Sequence, residues 1–193
     1  MTRVGRTDYP ASPHGLDRIE TDRMVCERHR AEDVEELSLL LGDPRVARTL
    51  TASGEPLTHT EIREGLRTKI AHWDRHGFGL WLMRDRISGE LVGRGGLQHT
   101  FVGGSSEVEV GWAIVPERWG QGLATELALL SVDVAFNELG LKEIVAFTQP
   151  HNIASRRVME KAAFTYERHV AHVGLPHVLY RREVDGSGLR RDG

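Results

Sequence analysis

The stretch EVEVGWAIVPERWGQGLATELALLSVDVAFNELG, residues 107–140, constrains this chain more than any other. It opens with apolar residues at every second position, the mark of a strand with one buried face. It closes with Leu123, Leu127, Leu130 and Val134 at helical spacing, and Ala124, Ala128 and Ala135 widen that face. Gly140 stops the helix. Between the two periods the backbone is bare at Gly120 and Gly122, so a strand must pass into a helix through a turn with glycine freedom. EIVAFTQ, just beyond, is a short apolar run that reads as the next strand. Strand, helix and strand in that order predict a crossover unit.

The rest of the chain fits around this unit. IETDRMVCERHR reads as a first strand with Met24 and Cys26 on one face. In AEDVEELSLLLGDP, Val34, Leu37 and Leu41 share a helix face, and Gly42-Asp43-Pro44 stops that helix. Thr58 and Glu61 form a capping-box pattern ahead of Ile62, Leu66, Ile70 and Trp73, with Gly77 as the stop. FGLWLMRD, ELVGRGGLQH and EVEVGWAIVP are strand candidates, with RISG and TFVGGSS as turns. NIASRRVMEKAAF predicts a second late helix capped by Asn152, and HVLYRREV a last strand. The expected fold is mixed α/β, with antiparallel strands first. Residues 17–185 form the expected domain, and 1–16 and 186–193 the expected tails.

Composition narrows the function. A chain of 193 residues can bury a full core without metal or disulfide. With 25 basic and 28 acidic residues the formal charge is −3, which offers no broad basic field to nucleic acid. Cys26 is the only cysteine, which excludes an internal disulfide and suits a reducing compartment. Its apolar flanks read as those of a small buried hydrophobe. No apolar run approaches the roughly 20 residues that span a bilayer, and MTRVGRTDYPASPHG lacks the apolar middle of a secretory signal. The expectation is a cytoplasmic protein, a monomer or homodimer, with no nucleic-acid or membrane partner.

The bare turn admits two readings: a plain connection, or a seat for an anion at a helix N-terminus. Two phosphate loops fail on spacing. A P-loop needs lysine and a hydroxyl residue after its last glycine, where Leu123 stands, and the dinucleotide fingerprint needs a small residue where Thr125 stands. Arg118 reads as a mobile positive charge beside the turn. EVEVGWAIVPERWGQGLATE, followed by VAFTQPHNIASRRVMEKAAF, resembles the GNAT superfamily of acyl-CoA-dependent N-acyltransferases, and within it the Rim-type branch of ribosomal-protein N-terminal acetyltransferases. The likeness covers about residues 18 to 184. It implies a mostly antiparallel central sheet flanked by helices, with a β-α-β core that binds acyl-CoA. It also implies acetyl-CoA as acyl donor, no metal, and an amine acceptor. Backbone groups of Ile114 and Val115 would hold the pantetheine arm. The N–H groups of Trp119, Gly120, Gln121, Gly122, Leu123, Ala124 and Thr125 would receive the diphosphate.

Acyl transfer needs a neutral amine, a polarised carbonyl and a proton for the leaving thiolate. Glu109 shares a strand face with Glu107, Gly111 and Ala113. The resemblance places this strand beside the acyl group, with Glu109 as proton acceptor; the plain reading is a solvent-facing strand residue, as Glu107 is expected to be. Asn152 and Ser155 match the family's Asn-x-x-Ser, with Asn152 on the pantetheine arm and Ser155 near the sulfur; the plain reading is a local cap. Met159 stands where many relatives carry an acidic tyrosine, which leaves Ser155 as the acid candidate. Ala163 stands where the family usually has glycine. His72 and His76, and His169 with His172 and His177, lack partners of familiar metal spacing and read as surface or pocket residues. Trp73, Phe78 and Trp81 read as core or pocket lining, and Arg84, Arg86 and Arg94 as solvated strand faces. The alternatives are an acyl-CoA-binding regulatory module without catalysis, and a nucleotide-binding protein using the same turn.

Overall fold

A computed structural model describes residues 14–184. Eight strands form one sheet: β1 (Arg18–Glu20), β2 (Met24–Arg28), β3 (Leu80–Asp85), β4 (Leu91–Val102), β5 (Ser105–Ile114), β6 (Glu143–Thr148), β7 (Thr165–His172) and β8 (Leu175–Glu183). Their order is β1-β2-β3-β4-β5-β6-β8-β7, antiparallel throughout except where β5 meets β6 in parallel. The parallel step sits where strand, helix and strand were expected to cross over.

The helices are α1 (Val34–Leu41), α2 (Pro44–Leu50), α3 (His59–His76), α4 (Leu123–Asp133) and α5 (Ile153–Lys161). In α3 the capping box forms as expected, Thr58 accepting from the Glu61 N–H and Glu61 from the Thr58 N–H. Two layers of core flank the sheet. On one face, Leu123, Leu127, Ala128 and Val132 of α4 pack with Trp73, Trp81, Met24, Cys26 and Leu97. On the other, Leu37, Leu40 and Leu41 of α1 and Ile62 and Leu66 of α3 pack on Leu82 and Ala113. At Gly95 a Cβ would lie 2.3 Å from a Leu127 methyl, so the close seat of α4 on β4 requires glycine there.

Several elements differ from the sequence expectation. The first strand is a hairpin, β1 and β2, folded at Thr21-Asp22-Arg23. Gly42 ends α1 as expected, but Asp43 and Pro44 open α2, the Asp43 carboxylate accepting from the Arg45 N–H and Pro44 taking the first helical position. TFVGGSS is strand at both ends, and only Gly103-Gly104 turns. The α4 helix runs on as a π-helical turn over Val134–Glu138 before Gly140. A further edge strand, β7, precedes the final one.

The expected tails lie mostly outside the described residues. Leu16, expected in the first of them, is 3% exposed and its carbonyl accepts from the Trp81 indole at 2.8 Å. Glu107 is not solvent-facing: its side chain is 12% exposed and accepts two bonds from Arg181 at 2.9 and 3.1 Å. Cys26 is fully buried, as expected, and burial pushes its thiol up to about 12. Trp73, Phe78 and Trp81 are core residues.

Candidate active site

The parallel pairing of β5 and β6 is in register at Glu109↔Val145. Beyond that point both strands border a cavity of about 500 Å³, β5 through Val110–Ile114 and β6 through Phe147 and Thr148. The cavity therefore occupies the gap between two neighbouring strands. One end reaches the start of α4 and α5, and the other reaches α2 and the β4 residues Arg94 and Gln98.

At the α4 end the backbone takes the form the glycines predict. Gly120 and Gly122 sit at φ 75° and 80°, in the left-handed region that favours glycine. Gly122 is the N-cap, and no side chain accepts from the first turn. The first intrahelical bond runs from the Glu126 N–H to the Gly122 carbonyl at 3.0 Å, which leaves the N–H groups of Leu123, Ala124 and Thr125 without helical partners. Those three residues line the cavity with Trp119, Gly120 and Gly122; Gln121 and Val115 do not border it. A Cβ on Gly120 would meet open space. Arg157 and Lys161, four apart on α5, bring two exposed cations to the same end. Unpartnered helix N–H groups, an open glycine approach and two cations fit a diphosphate.

Sequence reasoning missed what pins the turn. Arg23 donates to the Gln121 carbonyl at 2.7 Å and to the Glu126 carboxylate at 2.6 Å. Arg118, expected to be mobile, is held by Glu90 at 2.8 Å and Asp85 at 3.4 Å. The Trp119 indole donates to the Ile114 carbonyl at 2.8 Å while the side chain stays 49% exposed.

The backbone at the end of β5 divides its labour. The Val115 N–H donates to the Val92 carbonyl at 2.9 Å, and the Val115 carbonyl accepts from Arg118 at 2.9 Å. Val115, expected on the pantetheine arm, has its N–H engaged within the protein, and its carbonyl keeps a second lone pair. Antiparallel alternation turns the Ile114 N–H the other way, toward the gap. Ile114 lines the cavity.

Glu109 also lines it, on the face shared with Gly111 and Ala113. Its carboxylate accepts from the Gln98 amide at 2.9 Å, and the Lys69 ammonium donates to the other end of that amide at 2.6 Å. Burial raises the Glu109 carboxyl above the ordinary carboxylate range; the Gln98 bond and the Lys69 and Arg94 charges pull the other way. A carboxylate of raised basicity at a cavity wall is suited to accept a proton near neutral pH. Lys69, Gln98 and Arg94 join this wall only through tertiary packing of α3 and β4. Arg94, expected on a solvated face, lines the cavity instead.

Asn152 and Ser155 come together at the start of α5. The Asn152 side-chain oxygen accepts from the Ser155 N–H at 3.1 Å, and its amide donates to the Ser155 hydroxyl at 3.1 Å. The cap is real, and the Ser155 O–H remains able to donate into the cavity it lines. Met159, at the register of the missing tyrosine, is buried.

The histidines separate into two groups. His72 and His76 are joined by His99, unforeseen from spacing, and their ring nitrogens lie within 4.8 Å of one another. His72 is already spent: its Nδ1 donates to the Phe78 carbonyl at 3.0 Å, and its Nε2 accepts from the His99 N–H at 3.0 Å. His172 and His177 pack on Phe147, and His169 on Tyr166.

A family model described as an acetyltransferase (GNAT) domain matches residues 23–165. The chain belongs to this family of acetyltransferases, whose common chemistry is acyl transfer from acetyl-CoA. It is 27% identical over 167 residues to the Bacillus subtilis protein YkkB, a match spanning 83% of this chain and 95% of the relative. An acetyltransferase of Agrobacterium tumefaciens shares the fold with a TM-score of 0.75 at 24% identity, over 93% of this chain and 100% of that one. The ribosomal L7/L12 α-N-protein acetyltransferase RimL, solved with coenzyme A, gives 0.69 at 16% identity, over 86% and 96%. The mixed α/β fold with a mostly antiparallel eight-stranded sheet is that of the family. No helix among the described residues is long and apolar enough to cross a membrane.

Proposed function

We propose that this chain is an N-acetyltransferase that moves the acetyl group of acetyl-CoA to a primary amine by direct attack in a ternary complex. The observation that carries this reading is one cavity joining the open start of α4 to the Glu109 carboxyl through the gap between β5 and β6. The N–H groups from Gly120 to Thr125 receive the diphosphate, Arg157 and Lys161 neutralise its charge, and Asn152 and Ser155 flank the arm that leads to the thioester. The amine nitrogen attacks the thioester carbon, and the Ile114 N–H meets the developing oxyanion. Glu109 takes the proton the amine releases, directly or through a water. The carbon–sulfur bond then breaks, and the thiolate takes its proton from Ser155 or from solvent.

The Rim-type likeness makes a protein N-terminus one acceptor to test, beside amino acids and other small amines. The single buried cysteine suits action in the cytoplasm. Free thiol release from acetyl-CoA, measured with a panel of amines, tests the reading. We expect acceptor-dependent release, reduced about 10²–10⁴-fold by Glu109→Gln with acetyl-CoA affinity held. Tight binding of acetyl-CoA with no acceptor turned over would make the protein a regulatory acyl-CoA sensor. Stronger thermal stabilisation by ATP or NAD than by coenzyme A would make it a nucleotide-binding protein.

A further inference from the structure

The cavity end opposite α4 holds a cation that acts on Glu109 through space but makes no contact with a carboxylate among the described residues. Arg94 projects from β4 on the face it shares with Gln98, opposite Ala113 in the β4–β5 register. Its Nε is sealed from solvent with no hydrogen-bond partner, and Arg94 lines the cavity. The charged and titratable groups near it are Glu109, Lys69 and His29, with the buried Asp33 carboxylate on the His29 ring at 3.9 Å and held by the Arg30 N–H. Glu109 is matched by the Gln98 amide and by Lys69, and burial keeps His29 neutral by lowering its basicity. Arg94 is left without a contacting carboxylate at the wall of a partly apolar chamber. An arginine at such a site stays charged, and leaving it unmatched is costly.

We propose that Arg94 binds an anionic group of the acceptor, and that the acceptor is a small amino acid whose carboxylate pairs with this guanidinium while its amine faces Glu109. The proposal rests on the transferase reading of the same cavity and names its substrate class. Three observations support a carboxylate. The guanidinium fork matches a carboxylate in a two-bond geometry. One guanidinium without a contacting carboxylate balances a single negative charge, whereas a phosphate dianion calls for more. Val46, Leu50 and Leu80 border the same chamber and suit an aliphatic body on that molecule. Arg94 and Glu109 are set four residues apart along β4 in the register, about 13 Å of strand, which their side chains and one small molecule can bridge. A polyamine, carrying only positive charge, is disfavoured by Arg94 even though the whole chain is net acidic.

The test uses the full chain with acetyl-CoA and the twenty L-amino acids, each beside its amide, together with phosphoethanolamine. Two readouts run in parallel: thermal stabilisation of the CoA-saturated protein, and kcat/KM for acetylation. At least one free amino acid is expected to stabilise the protein and to exceed its amide by about tenfold or more in kcat/KM. In Arg94→Gln that preference should shrink to within about twofold, through KM for the acceptor, with KM for acetyl-CoA unchanged; Arg94→Lys should keep part of it. Amides bound and acetylated as well as acids, a preference that survives Arg94→Gln, or phosphoethanolamine ahead of every amino acid would overturn the proposal. The wild-type comparison decides by itself if Arg94→Gln does not fold. Carboxylate binding that depends on Arg94 without any transfer would leave this assignment standing and remove the transferase reading instead.

Discussion

Ala163→Gly should stabilise this protein, and the amount can be worked from the turn that ends α5. Ala163 sits at φ 59°, in the left-handed region, immediately after the C-cap. Its N–H donates to the Glu160 carbonyl at 3.0 Å, and the Phe164 N–H donates to Met159 at 2.9 Å, the pair of bonds that closes a helix through a left-handed residue. The turn holds its left-handed residue with alanine in place, and the chain carries the strain. That strain is roughly 1–2 kcal/mol for an L-residue. Glycine relieves it but adds freedom to the unfolded chain, offsetting about 0.4–1 kcal/mol. The Ala163 side chain is exposed, so removing its methyl forfeits no core contact. The net gain is about 0.5–1 kcal/mol, or a rise of about 1–4 °C in Tm for a chain of this size. Urea denaturation and thermal melts of both proteins measure it, with Ala163→Val as a control that should lose stability. A neutral or destabilising Ala163→Gly, with the m-value unchanged, would refute the strain argument.

Val173, 70% exposed at φ 50° between β7 and β8, is a β-branched residue in a two-residue turn that favours Asn-Gly, so Val173→Asn should add about 1 kcal/mol in urea titrations. His72 is held neutral, its pKa lowered to about 4 first by burial and then by His76. Between pH 6.5 and about 4 the unfolded chain takes up a proton that folded His72 resists, so stability falls as pH drops through that window. After discounting for its partial exposure the loss is about 1–2 kcal/mol. Urea midpoints should fall less steeply with acid in His72→Gln, and parallel slopes would remove this assignment. Because Glu109 is raised by burial, the acid limb of kcat should lie above the range of an ordinary carboxylate and vanish in Glu109→Gln; a limb that persists in the variant assigns the base elsewhere.

The crossover unit was legible because its signals are local and strong. Period-two alternation, a turn with two glycines, and a long amphipathic run each dictate a short stretch of chain without help from elsewhere. Asn152 and Thr58 announced their helices for the same reason. The misses share a different cause. Gly42-Asp43-Pro44 reads as a stop, yet Asp-Pro is also a helix start, and α2 depends on both meanings at once. β7 has one buried residue, Val170, so it carries no alternation to read. Arg94 and Glu107 look like solvent-facing strand residues in one dimension. Packing of α1 and α3 over one sheet face, and the approach of Arg181 from β8, make them interior. Arg23 holds a turn almost a hundred positions away, which no spacing rule encodes.

The central claim is that the start of α4 holds the diphosphate of acetyl-CoA. Backbone ¹H–¹⁵N spectra of the protein, recorded with and without acetyl-CoA, address it most directly. The account predicts that the amides from Gly120 to Thr125 move furthest, downfield, as they take up bonds to an anion. Saturation by acetyl-CoA with those six amides in place would contradict it.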